Sequence, residues 1–338
     1  MPATADLATF VRGFFEQHLV EQRGLSPNTI LAYRDTLKLF LGFVAGSRRQ
    51  DCTELTLEAL SDGAVRRFLQ HLEQDRRNGV ATRNARLAAI HAFFAYVAGT
   101  EPRHLVQARS ILAVPFKRTA HRVPRYLERD EVQAIFRLID RDNPTGLRDD
   151  ALLRMLYNTG MRAQELADLN VCHVRFTRPF TVTILGKGRK ERMCPLWRET
   201  MAALKDYLAP RAAQATDTAP LFLNVHGARL TRFGVRYIVA HRASDTAEAH
   251  PSLLARRVTP HTWRHTTAMH LLQSNVDLAM IRSWLGHSSI ETTNTYVEID
   301  LEMKRKTLRS CEQLIPKAAK AASTWKSKPD ILAWLSTL

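Results

Sequence analysis

The chain has 338 residues, enough at roughly 100–200 residues per domain for two domains with their own cores, and 45% hydrophobic residues argue against disorder. Forty-nine Lys and Arg against 33 Asp and Glu leave a net charge of +16, which points to a polyanionic partner. No apolar run approaches the ~18–20 residues of a membrane span, and MPATADLATF lacks the basic-then-apolar build of a secretory signal, so the expectation is a cytosolic protein with no membrane partner.

The first hundred residues read as helices. Leu7, Phe10, Val11, Phe14 and Phe15 recur at helical steps, and after a break at Gly24, Ser26-Pro27 offers a cap with proline at the first helical position before Ile30, Tyr33, Leu37, Phe40, Leu41 and Val44. Two further stripes carry Val65, Phe68, Leu69 and Leu72, then Leu87, Ile90, Phe94 and Val97, predicting a module of four or five helices. On the last of these helices Thr82, Arg83, Asn84 and Arg86 fall on the side away from Leu87, Ile90 and Phe94, as candidate groove or phosphate contacts.

From about Arg109 to Glu128 the pattern lapses. Pro115 and Pro124 interrupt it, and Lys117, Arg118, His121, Arg122 and Arg125 crowd together, so this stretch reads as a basic linker with candidate phosphate contacts. Residues 103–129 and 301–338 together hold +11 of the +16, whereas 130–300 are nearly balanced at +4.

A second domain opens with predicted helices at 129–139 and 148–157. The period then changes: 171–176, 180–185 and 191–196 are short β-prone runs, with Gly186-Lys187-Gly188 as a turn, so a small antiparallel sheet interrupts a helical domain. Helices resume at 197–209, 231–242, 260–273, 276–285 and 289–296, with a loop at 212–220; Arg229, Arg232 and Arg236 bracket the start of the 231–242 helix as candidate DNA contacts. The fold class is therefore mainly α, an N-terminal helical domain followed by a mixed α+β domain. The expected limits are 1–108, a linker at 109–128, 129–300, and a tail at 301–338 whose Ile331, Leu332, Trp334 and Leu335 need a surface to cover them.

Three places set a cationic or imidazole side chain beside a helix start. In TGMRAQEL, Gly160 permits a sharp turn and Arg162 opens the next helix, with Glu165 one turn on; in TPHTWRH, Thr259 and Pro260 start a helix carrying His261 and Arg264; in LGHSSIETTNTY, His287 follows Gly286 and Tyr296 lies near the end of the next helix. Helix starts and arginine forks suit a phosphodiester. His261 and His265 stand four apart, but Thr262 occupies the place of the glutamate in H-E-x-x-H, so no metal is expected. Gly186-Lys187-Gly188 is not a P-loop, which removes ATP, and no cofactor is predicted. Cys52, Cys172, Cys194 and Cys311 lack C-x-x-C spacing and read as reduced thiols, mostly buried.

The ordered set Arg162, Lys187, His261-x-x-Arg264, Leu285-Gly286-His287 and Tyr296 resembles the tyrosine recombinase (phage integrase) family, of the two-domain Xer-like type, over roughly 160–300, and LSPNTILAYRDTLKLFLGF at 25–43 resembles its core-binding domain. Trp263, where the family often has Leu, and a slightly long 244–258 loop are the departures. The resemblance implies a site-specific recombinase acting on double-stranded DNA. Tyr296 would attack the scissile phosphate, Arg162 and Arg264 would bind it, His261 and His287 would add hydrogen bonds, and Lys187 would be the general acid, with Lys190 as the alternative. Glu165 would orient Arg162 or His287. The resemblance further implies a 3′-phosphotyrosine intermediate, a Holliday junction, and a homotetramer on paired sites, alone or with a related recombinase, with the tail exchanged between protomers. Type IB topoisomerase activity and non-catalytic DNA binding are the alternatives. Phage integration, integron shuffling, transposition of a mobile element and chromosome-dimer resolution all remain open as settings.

Overall fold

The computed structural model describes residues 6–119, 125–186, 190–214, 216–254 and 256–286. They fall into two compact units divided between residues 121 and 122. Lys187, His287, Tyr296, Arg122, Cys311, the predicted 289–296 helix and the 301–338 tail lie outside the described residues.

In the first unit α1 (Leu7–Gly13) runs on as a π-helical stretch to Gln22, and α2 (Pro27–Arg48), α3 (Asp62–Gln74), α4 (Val80–Thr100) and α5 (Leu105–Leu112) follow. Local signals set the starts: Ser26 Oγ accepts from the Thr29 N–H at 3.4 Å and Ser61 Oγ from the Ala64 N–H at 3.2 Å. The helices bury an aromatic core in which Phe14 meets Phe93 edge-on at 5.4 Å and Phe40 meets Phe68 at 5.2 Å.

The lapse predicted from Arg109 comes later than expected. Helix α5 continues to Leu112, and Ala108, Ile111 and Val114 join the first unit's core. A short stripe containing one alanine gave too little apolar signal to mark a helix. Beyond it the chain is stitched back onto α4: Arg83 Nη1 donates to the Pro115 carbonyl at 3.0 Å, and Asn84 both donates to the Lys117 carbonyl and accepts from its N–H, at 2.7 and 3.1 Å.

The second unit contains α6 (Arg129–Arg137), α7 (Pro144–Thr159), α8 (Ala163–Ala167), β1 (Val174–Arg175), β2 (Thr181–Leu185), β3 (Glu191–Pro195), α9 (Arg198–Leu208), α10 (Arg232–Thr246), α11 (Pro260–Gln273) and α12 (Leu278–Leu285). The sheet is antiparallel in the order β1-β2-β3, with Val182 opposite both Val174 and Cys194. Val171–His173, predicted as strand, is a single 3-10 turn instead. The N–H groups of Val171 and Cys172 turn away from the sheet to the carbonyls of Ala219 and Asp217, at 3.0 and 2.9 Å. Helix α7 starts four residues earlier than predicted, because the Asn143 side chain accepts from the Gly146 N–H at 2.7 Å and Pro144 fills the first helical position. Helix α10 takes up the start of the long 244–258 loop, reaching Thr246.

The core gathers Leu152, Leu156, Val182, Ile184, Leu204, Val235 and Trp263. Trp263 is fully buried against Phe136 and Tyr157, at ring separations of 5.8 and 6.0 Å, so the bulk at this position is used in packing. Of the three described cysteines only Cys194 is buried. Cys52 and Cys172 sit in 3-10 turns on the surface, against the expectation of mostly buried thiols. No helix among the described residues is long and apolar enough to cross a membrane.

Candidate active site

Two left-handed glycines organise the site. Gly160 ends α7 with φ of 60° and Gly286 ends α12 with φ of 65°. A β-carbon on Gly160 would stand 2.3 Å from Leu285 Cδ2, so the position needs glycine both for its backbone and for the close approach of α12.

Arg264, one turn into α11, links these two ends. Its Nη1 donates to the Gly160 carbonyl at 2.6 Å and its Nη2 to the Leu285 carbonyl at 2.7 Å, and the residue is 4% exposed. Helix C-termini expose unpaired carbonyls and carry partial negative charge, so a guanidinium is well matched to both. The register of α11 comes from a capping box between Thr259 and Thr262 with Pro260 at the first position.

Arg162 caps α8 through its own backbone. Glu165 Oε2 accepts from the Arg162 N–H at 2.9 Å, and Glu165 Oε1 accepts from Arg162 Nη1 at 2.6 Å. Glu165 is buried, and a second guanidinium reaches it: Arg192 Nη2 donates to Oε2 at 2.7 Å while Arg192 Nε donates to the Trp284 carbonyl at 3.1 Å. Burial alone would raise the Glu165 pKa. The hydrogen bond from Arg192, the Arg162 N–H, the Arg192 charge and the Arg162 side chain together outweigh it and hold the carboxyl below its ordinary value.

His261 is exposed at the start of α11. The protein atoms crowding its ring, then the charges of Arg264 and Arg162, lower its pKa from 6.5, so the free protein carries a neutral imidazole here at pH 7. Arg162, Arg264 and His261 are thus one electrostatic cluster. The β2–β3 turn is anchored nearby: the Gly186 N–H donates to the Lys190 carbonyl at 2.8 Å, and a β-carbon on Gly186 would lie 3.7 Å from Glu165 Oε1. Gly186 and Gly286 directly precede Lys187 and His287 in the chain.

A cleft of about 470 Å³ opens beside His261, lined among others by Arg232, Phe233, Arg236 and Arg257. Arg232, Arg236 and the aromatic side chains of Phe233 and Tyr237 are exposed along this side of α10. Arg118 and Arg125 are also exposed.

Several other predicted contacts are already engaged. Arg83 is buried and holds Pro115, Asn84 holds Lys117, and the exposed Lys117 Nζ pairs with Glu73 at 2.7 Å, so these residues pin the chain. Arg86 is half-buried, with burial lowering its pKa and Nη1 lacking a partner. Arg229 donates to the Ala167 and Leu169 carbonyls, at 3.1 and 3.3 Å, and to Asn170 Oδ1 at 2.7 Å, which ties it to the end of α8. No group of three or more His, Cys, Asp or Glu side chains suited to a metal occurs among the described residues.

Arg192 and Arg257 escaped the sequence reading. For Arg192 a signal existed: it shares an alternation parity with buried Cys194 on β3, and a charged residue at the inward parity of a strand calls for a partner.

Comparison with known proteins gives a consistent result. Residues 125–303 match the model of the phage integrase family, and residues 14–99 match the phage integrase N-terminal SAM-like domain. A Sinorhizobium fredii protein named as an integrase/recombinase, y4rC, is 38% identical over the full length of both chains. The tyrosine recombinase XerC of Pelobacter propionicus is 34% identical over 85% of this chain and 90% of that protein. Among solved structures, XerH bound to its palindromic difH substrate aligns with a TM-score of 0.66 at 22% identity, covering 86% of this chain and 82% of that one. The Tn1549 transposon integrase with transposon right-end DNA aligns with a TM-score of 0.68 at 15% identity, covering 88% and 98%. These structures share the fold.

Proposed function

The chain belongs to the phage integrase family of tyrosine recombinases, and on that premise we propose that it cuts and rejoins double-stranded DNA at specific sites through a covalent 3′-phosphotyrosine. The observation that supports this reading is the clustering of the Arg162 and Arg264 charges around His261, with the buried Arg264 locked by two helix-end carbonyls and Arg162 by Glu165.

In the proposed reaction the Tyr296 hydroxyl passes its proton to water as its oxygen attacks the scissile phosphorus, an O–P bond forms, and the bond to the 5′ oxygen breaks. Arg162 and Arg264 take the charge that develops on the non-bridging oxygens. Lys187 delivers a proton to the departing 5′ oxygen, while His261 and His287 hydrogen-bond the phosphate or the nucleophile. Two guanidiniums supply the charge stabilisation that a metal would otherwise provide, and the phosphotyrosine retains the energy of the broken ester, so rejoining needs neither ATP nor metal. Attack by the 5′ hydroxyl of a second duplex then exchanges strands, and two successive exchanges pass through a Holliday junction.

In this scheme the first unit, which runs on through α5 and the segment stitched to α4, and the basic stretch up to residue 128 grip DNA, residues 129–300 carry the chemistry, and 301–338 bridge protomers of a homotetramer. Arg86, Arg118, Arg122, Arg125, Arg232 and Arg236 are the proposed DNA contacts. Chromosome-dimer resolution, phage integration, integron shuffling and transposition are all settings in which this chemistry would serve.

The test uses duplex DNA bearing the recognition site with a nick next to the cleavage point, which traps the covalent complex. Wild-type protein should form a DNA adduct in the absence of divalent metal, and Tyr296→Phe should bind the same DNA without forming it. An adduct of normal yield from Tyr296→Phe would overturn the assignment.

A further inference from the structure

The Glu165 carboxylate lies between two guanidiniums, and only one of them, Arg162, belongs to the proposed phosphate-binding set. We propose that Arg192 is a positioning residue for that reaction: by holding Glu165 Oε2 it keeps the carboxylate from fully neutralising Arg162. The inference rests on the proposed role of Arg162 as a phosphate ligand.

Geometry supports the role from three directions. First, the carboxylate is divided: Oε1 takes Arg162 Nη1 at 2.6 Å, while Oε2 takes Arg192 Nη2 at 2.7 Å together with the Arg162 N–H at 2.9 Å. Glu165 is 7% exposed, so water cannot replace a lost partner freely. Without Arg192, the one guanidinium among the described residues still in contact with the carboxylate is that of Arg162, and bidentate pairing becomes its best arrangement. An Arg162 so paired presents less charge and fewer donors to a phosphate.

Second, Arg192 is held in place by something other than Glu165. Its Nε donates to the Trp284 carbonyl at 3.1 Å, and Trp284 Nε1 in turn donates to the Asn158 carbonyl at 3.0 Å on α7. Third, its side chain packs against the turn that leads to His287. A β-carbon on Gly286 would stand 3.1 Å from Arg192 Cδ and 3.2 Å from Nη1, a tight approach at a position whose φ of 65° already favours glycine. One strand residue therefore touches Glu165, the end of α12 and, through the hairpin, the base of the turn that carries Lys187. A three-carbon stem with a planar fork makes the Glu165 and Trp284 contacts from two separate nitrogens, whereas lysine has a single nitrogen and lacks that fork.

The experiment compares wild type, Arg192→Leu, Arg192→Lys, Glu165→Gln and the Arg192→Leu/Glu165→Gln double variant. Single-turnover adduct formation on nicked site DNA is measured at saturating protein, beside DNA affinity and thermal midpoint. Arg192→Leu should slow adduct formation by about tenfold to a hundredfold with little change in Kd, a loss confined to the step in which Arg162 acts. Adding Glu165→Gln should restore most of that loss, because a neutral amide cannot neutralise Arg162. A residue that only supported packing would show no such rescue, so a double variant no faster than Arg192→Leu overturns the proposal.

A second readout needs no DNA. The His261 ring is titrated by NMR; the charges that face it are Arg264 on its own helix, Arg162, and the cleft residues Arg232, Arg236 and Arg257. Its pKa should rise in Arg192→Leu as Glu165 neutralises Arg162, return on adding Glu165→Gln, and stay near wild type in the charge-preserving Arg192→Lys. An unchanged titration in Arg192→Leu overturns the proposal even if no adduct forms with any protein, whereas a wild type without adduct overturns only the recombinase reading. If Arg192→Leu does not fold, Arg192→Gln replaces it in both measurements.

Discussion

The Arg264 guanidinium donates to the Gly160 carbonyl at 2.6 Å, which makes a proposed phosphate ligand part of the structure that ends α7. Binding and architecture are therefore coupled at this residue. Arg264→Lys keeps a positive charge but lacks the fork that serves the Gly160 and Leu285 carbonyls, so adduct formation should fall by about a hundredfold to a thousandfold, some 3–4 kcal/mol of transition-state stabilisation. A single-turnover rate within fivefold or so of wild type would show that charge alone suffices.

Gly160→Ala tests the close approach directly. With φ at 60° and the added carbon overlapping the buried Leu285 Cδ2, the variant must strain its own backbone and displace the Leu285 side chain or α12 with it. Stability should drop by about 2–3 kcal/mol, read as a lower urea midpoint with unchanged slope. An unchanged midpoint would mean that the two helix ends are not in tight contact.

Acid should weaken the second unit at pH values where most carboxylates are still ionised. His270 is buried, its Nδ1 2.8 Å from the Tyr157 hydroxyl, and burial with the nearby Arg129 charge pushes its pKa down to about 4 from 6.5. A histidine with a lowered folded pKa favours the folded state fully above pH 6.5 and loses that contribution as pH falls toward 4, at most about 3 kcal/mol. His265, pushed down to about 4 chiefly by burial, acts in the same direction. His270→Gln keeps a hydrogen-bonding side chain without the titration, so its urea midpoint should decline less steeply than that of wild type between pH 6.5 and 4.5. Parallel declines would exclude His270 as a source of the acid sensitivity.

The Lys117–Glu73 pair sets one charge of the linker against the protein itself. Glu73→Gln releases Lys117 for phosphate and should tighten DNA binding by about twofold to fivefold at low salt, with a steeper dependence on salt concentration. Equal affinity and an equal slope would show that Lys117 stays away from DNA.

Most of the described helices, the small antiparallel sheet and the placement of Arg162 and Arg264 at helix starts were legible because periodicity, capping residues and left-handed glycines are local signals. Ser26-Pro27, Thr259-Pro260 and Gly160 each declare a boundary within a few residues. What stayed hidden depends on partners distant in sequence. Nothing near Arg83 indicates that the Pro115 carbonyl will use it, and nothing near Arg229 points to the end of α8. The polar face of a helix reads the same whether it meets DNA or a returning segment of its own chain. Arg192 was hidden for a related reason: short strands carry few residues, so one inward charge is easily assigned to the wrong face.

Arg229 and Arg232 are only three residues apart, yet they should respond differently to the same change. Arg232 is exposed over the Phe233 ring at 4.8 Å and lines the cleft beside His261, whereas Arg229 serves three acceptors at the end of α8. Arg232→Ala, and likewise Arg236→Ala, should weaken DNA binding and reduce the slope of log K against log salt by about one, with the urea midpoint unchanged. Arg229→Ala should leave that slope alone and lower the midpoint, because carbonyls at the end of α8 lose their donor. The two effects separate a phosphate contact from a structural tie even though both residues are arginines on one short segment. A slope change from Arg229→Ala, or none from either α10 variant, would move the DNA contact off this face of α10.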